Sequence, residues 1–239
     1  MRRAAVLLLF LLPLAACSLQ EQPVRTLVAV TPAAGISAVA LGVNIGAVTI
    51  MPSKDAEVHV SVGLRPSNSF LGVFSMGGEH AIKAAVINQA SADGVLKLSM
   101  RYPANTDASG VNEYWTVAVP AGMHVSSDIN VGKLRISGIS GGVEANLNVG
   151  KVTLDLPSGP MKVSVNVGKI NAQAHTLNYG KVSVSADVGD YSLEVNGVST
   201  GNQEKTSPGN HRLSYQGHGQ DAISLTVSTG KVTLALSGK

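Results

Sequence analysis

Apolar and polar residues alternate along most of this chain, and the alternation changes parity at regular intervals. The apolar set Val143, Ala145, Leu147, Val149 gives way, past Lys151, to Val152, Leu154 and Leu156. The same switch separates Met161, Val163, Val165, Val167 from Ile170, Ala172, Ala174. A period of two predicts a strand with one buried face. A parity change without loss of alternation predicts a corner, turned while the apolar side stays on one core. A Gly-Lys pair occupies each change, glycine supplying the φ freedom and lysine sitting outside in water.

The corners recur. Asn130-Val131-Gly132-Lys133, Asn148-Val149-Gly150-Lys151 and Asn166-Val167-Gly168-Lys169 lie 18 residues apart. Asn178-Tyr179-Gly180-Lys181 reads as a fourth copy, and Ser228-Thr229-Gly230-Lys231 as a last one closing the domain. A fixed period near 20 residues predicts one stacked unit. The fold class is all-β, and two architectures satisfy the pattern. In a β-solenoid, or β-helix-like stack of short strands, equivalent residues form parallel ladders about 4.8 Å apart, with asparagines bonded along the ladder. In an antiparallel meander of hairpins, Gly-Lys is the centre of a type II′ turn.

These quartets, with Asn44-Ile45-Gly46-Ala47-Val48-Thr49-Ile50, Val119-Pro120-Ala121-Gly122 and Ile136-Ser137-Gly138-Ile139-Ser140-Gly141, resemble the bacterial β-strand-repeat adhesin family, close to the adhesin head-like domains of unknown function. The resemblance runs from about Ala38 to the C-terminus. It implies a β-helix-like fold on the cell envelope, acting as a binding or scaffold module. In that family the residue after the repeat glycine is commonly acidic, whereas here it is mostly lysine.

Residues 1–16 read as a signal peptide: Arg2 and Arg3 precede an apolar stretch too short to span a bilayer, then small residues. Leu14-Ala15-Ala16-Cys17 resembles a lipobox, so Cys17, the single cysteine, is the expected lipidation site. Ser18 after it resembles an outer-membrane sorting signal, and the membrane is thus an expected partner through the lipid. Loss of the leader lowers the net charge from +3 to +1, so total charge points to no partner. Residues 17–37 read as a tether, 38–125 as an N-terminal β half, and 126–239 as a β-repeat half with a loop or hairpin excursion at 197–221.

Within the first half, a Gly- and Phe-containing loop at 65–78 holds Phe70, Leu71, Phe74 and Met76. It is either a cap over an open sheet end or an apolar tip for a partner. Residues 80–101 read as two strands around the turn Ser91-Ala92-Asp93-Gly94. Trp115 is expected at the junction between the halves.

Candidate chemistry is sparse. The histidines (His59, His80, His124, His175, His211, His218) show no zinc-ligand spacing. Asp187-Val188-Gly189-Asp190 reads as a solvated turn or a weak calcium site. No nucleophile elbow, Walker or dinucleotide fingerprint is present, so no cofactor, metal, specific nucleic-acid recognition or enzymatic role is expected. The lysines Lys133, Lys151, Lys169, Lys181 and Lys231 have two readings. One is protection of sheet edges. The other is a basic stripe for an anionic polymer such as a polysaccharide. The function expected is a lipid-anchored envelope binding module; the alternative is a structural or stress-related envelope lipoprotein that binds a membrane protein.

Overall fold

Strands of 14 residues pass through the Gly-Lys pairs rather than stopping at them. The computed structural model describes residues 24–67, 76–104, 106, 108–199, 202–207 and 210–238. In chain order it contains β1 (Arg25–Pro32), β2 (Ala38–Pro52), β3 (Glu57–Pro66), helix α1 (Met76–Ala84), β4 (Val86–Ala92), β5 (Val95–Arg101), β6 (Val111–Val119), β7 (His124–Ser137), β8 (Val143–Leu156), β9 (Met161–Ala174), β10 (Tyr179–Val195), β11 (Val198–Ser199), β12 (Asn202–Ser207), β13 (Asn210–Gln216) and β14 (Asp221–Leu236). The described residues are all-β with one short helix, built on a large mixed sheet.

The middle of that sheet is parallel, in the order β2-β7-β8-β9-β14-β10. Gly46, Gly132, Gly150, Gly168, Gly230 and Gly189 fall in one row across these strands. The sheet bends along this row into two leaves. Before the bend β2 is flanked by β5 and β7; after it, by β6 and β7. Inward side chains from both leaves form a single hydrophobic cluster, including Leu147, Val165 and Leu225 before the bend and Leu154, Ile170 and Leu234 after it.

The corner is wider than the alternation suggests. Val149 and Val167, expected inside, are 41% and 49% exposed. The chain leaves the core after Leu147 and re-enters it at Val152, so the whole Asn-Val-Gly-Lys quartet is the corner. Gly150 takes up the parity change with a φ of 144°. A Cβ there would collide with the carbonyl oxygen of Gly132 in the row below. Only glycine allows rows to approach this closely at that φ.

Both ends of the sheet are antiparallel. At one end the order is β1-β3-β6, and at the other β10 is followed by β13 and β12. The excursion at 197–221 is thus partly a hairpin. Two further expectations change. The tether runs into the sheet, because Arg25–Pro32 is an edge strand paired with β3; Leu27 and Ala29 pack inward while Val28 and Val30 face out. An apolar residue on both faces erases the alternation that would have revealed it. Residues 80–101 begin inside helix α1, whose Ala81 and Ile82 are buried, and only then enter the hairpin β4–β5. The hairpin turns on Asp93 and Gly94, both at positive φ, as a two-residue type I′ turn requires. Arg25 donates from Nη1 to the carbonyl of Ile82 at 2.7 Å, clasping the C-terminal end of α1.

Candidate binding surface along the corners

The row register carries the outward side chains of each quartet into ladders. Asn130 donates its amide to Asn44 at 3.2 Å, Asn148 to Asn130 at 3.1 Å, and Asn166 to Asn148 at 2.9 Å. A second, shorter ladder lies two residues earlier, where Asn146 donates to Asp128 at 2.8 Å and Ser164 occupies the next row. Between the ladders runs an open groove of about 460 Å³, bordered by Asn44, Asn130, Asn148 and Asn166. Val131, Val149 and Val167 form an exposed apolar strip beside it.

Across the glycine row the register aligns Lys133, Lys151, Lys169 and Lys231, all exposed. The row begins at Ala47 and ends at Asp190, whose carboxylate is 3.9 Å from Lys231 Nζ. Lys181 is not part of it: it pairs with Ala222 and Gln216, near the start of β10. The quartet Asn178-Tyr179-Gly180-Lys181 is not a corner, since Tyr179 is fully buried and Gly180 packs under the backbone of Gly219. The corner of β10 is Asp187-Val188-Gly189-Asp190, read from sequence as a solvated turn or weak calcium site. Its signal was available: Val182, Val184 and Ala186 alternate directly before it.

The last copy also sits elsewhere than expected. Ser228-Thr229-Gly230-Lys231 does not close the end of the stack but lies between the rows of β9 and β10. Cys17, Phe70, Leu71 and Phe74 lie outside the described residues, and Met76 is the first residue of α1.

Away from the corners, two polar clusters matter. Glu113 is buried on β6 and accepts hydrogen bonds from Tyr102 Oη at 2.9 Å and Trp115 Nε1 at 2.7 Å. Burial pushes its carboxyl above the usual range, opposed by those two bonds. Burial and the neighbouring Glu113 push the Tyr102 phenol far up as well. Trp115 itself is buried, pairing with Val48 of β2, the strand next to the first repeat strand β7. Sequence reasoning missed Glu113, although Val111, Trp115, Val117 and Val119 share its parity and all point inward.

The second cluster is Asp55, Glu57 and His59, whose potential ligand atoms lie within 4.8 Å of one another. His59 Nε2 is 2.8 Å from Asp55 Oδ1, and this bond holds the Asp55 carboxyl below its ordinary range. The three groups are solvent-accessible and already paired.

No family profile and no curated protein matches the sequence. Among solved structures, the fold is similar to that of a putative cell adhesion protein from Clostridium sporogenes, with a TM-score of 0.52 at 14% identity, covering 90% of this chain and 99% of that one. A putative adhesin from Bacteroides fragilis aligns over 88% of this chain and 97% of its own, at a TM-score of 0.31 and 10% identity. A putative lipid binding protein from Parabacteroides distasonis aligns over 89% and 98%, at 0.27 and 9%. The last two superpositions are too loose to support an argument. The first shows a shared fold: this chain and the C. sporogenes protein are two sequences that build one β architecture.

Proposed function

We propose that this protein is a non-enzymatic binding module of the bacterial cell envelope, anchored by lipid at Cys17 and built as a β-solenoid-like stack in the adhesin-like manner.

 The observation that carries this reading is the row of four lysines, Lys133, Lys151, Lys169 and Lys231, held in register on an outward corner. Rows about 4.8 Å apart present their charges at a repeat suited to an extended polyanion, and one flexible ligand can meet several at once. The ligand class is an anionic polymer of the envelope, an acidic polysaccharide first among them. The fold shared with a protein named as a cell adhesion protein supports a surface role.

The test is a pull-down on anionic glycans at low and high salt, comparing the native protein with a variant carrying Lys133→Gln, Lys151→Gln, Lys169→Gln and Lys231→Gln. Binding by the native protein falls with salt, and the variant binds weakly at both; equal binding by the two removes the stripe. Cys17→Ser moves the protein out of the membrane fraction, and persistence there refutes the anchor. A second reading, a scaffold lipoprotein that docks on an envelope protein, is favoured by the outward valines of edge strand β1, where Val28 and Val30 are 71% and 51% exposed. Crosslinking from intact cells separates the two by what is captured.

A further inference from the structure

We infer that the groove bordered by the asparagine ladder is a sugar-binding subsite, and that with the valine strip and the lysine row it takes an acidic polysaccharide strand lying along the stack. The inference rests on the binding reading above and adds the surface that recognises the sugar itself. The groove, about 460 Å³, is open and lined by amides rather than by charge alone. Each asparagine in the middle of the ladder uses one amide N–H and its carbonyl oxygen on its neighbours. That leaves a second amide N–H and a further carbonyl lone pair on an exposed side chain in each row. Repeated donor and acceptor pairs of this kind match the hydroxyl groups of a sugar chain.

The neighbouring strip supplies the other half of sugar chemistry. Val131, Val149 and Val167 are 39%, 41% and 49% exposed and pair row to row, so their apolar side chains form a continuous strip. They offer a surface for the C–H face of a pyranose ring. Only two residues separate each ladder asparagine from the lysine of its own quartet, so the two rows lie within about 11 Å of each other along the backbone. A carboxylate or sulfate on the ring therefore reaches the lysines while its hydroxyls stay in the groove. A bare polyanion would use the lysines and leave the groove empty.

The experiment is calorimetric binding of the purified protein to three probes of matched length: a polyuronate oligosaccharide, a neutral β-glucan oligosaccharide and inorganic polyphosphate. Ser164→Trp fills the groove from an exposed position and leaves the ladder's own hydrogen bonds in place. Expected are binding of the polyuronate, weaker salt-insensitive binding of the neutral glycan, and loss of about tenfold or more of both affinities in Ser164→Trp. Asn148→Ala weakens both sugars in the same direction, with an unchanged melting curve for Ser164→Trp excluding a folding defect. The four-lysine variant loses only the salt-dependent excess for polyuronate. If polyphosphate binds as well as polyuronate and Ser164→Trp changes neither, the groove is not a sugar site although the lysine reading stands. If the lysine variant binds polyuronate like the native protein while Ser164→Trp abolishes it, the groove stands and the stripe falls. Failure of both sugars to bind overturns the subsite.

Discussion

Glu113 is a carboxyl buried on β6, where the charged form loses its water. A carboxyl whose value is raised by folding holds its proton longer in the native state than in the unfolded chain. Its contribution to stability is complete below the unfolded value and is lost as pH rises through the folded one. Glu113→Gln therefore removes a decline in melting temperature that the native protein shows as pH climbs out of the carboxylate range. Trp115, the single tryptophan, reports the transition by fluorescence. Parallel pH curves for the two proteins would contradict the raised value. Glu113→Ala is harsher, stranding the Trp115 and Tyr102 donors at a cost of about 3 kcal/mol. Tyr179 behaves oppositely: its buried hydroxyl has no hydrogen-bond partner among the described residues, and burial with the nearby Asp221 pushes it up to about 12. Tyr179→Phe should be neutral, or stabilising by up to about 1 kcal/mol, in urea denaturation.

At the scale of the element, the corner decides what a substitution costs. Gly150→Ala places a Cβ against the Gly132 carbonyl at a φ that side chains rarely adopt, and should destabilise by at least about 3 kcal/mol. Val149→Thr, one residue away and facing water, should cost less than about 0.5 kcal/mol. Chemical denaturation of the pair measures both, and a large effect of Val149→Thr would return that valine to the core. The strands and their corners were legible because the parity rule needs only a one-sided core. The extent of each corner was not, since a valine reads as buried whichever way it points. Strand β1 escaped notice for the same reason, being apolar on both faces. Helix α1, nine residues long, is too short to establish its own period, and its burial is dictated by the sheet beneath it.

For the whole molecule, the lysine row has an electrostatic signature independent of any ligand. Neighbouring ammonium groups about 5 Å apart in water repel by roughly 0.8 kcal/mol, which salt screens. Added salt should thus raise the melting temperature of the native protein more than that of the four-lysine variant. An equal response in both would mean that the lysines splay apart. The asparagine ladder and three of its lysines could be read from the 18-residue spacing. The position of β14 could not, because spacing orders consecutive copies and is silent about a copy that returns from far along the chain. The opposition of Asp190 and Lys231 is a trace of that pairing, and neither residue advertises its partner in the sequence.

Because β14 lies between β9 and β10, each of those strands lacks a neighbour on one side until residues 221–236 are in place. The parallel rows cannot close in chain order; a strand from far along the sequence acts as their keystone. Removing residues 221–239 should therefore abolish the cooperative transition rather than shave one layer from the sheet, leaving an unfinished arch open to proteases and chaperones alike.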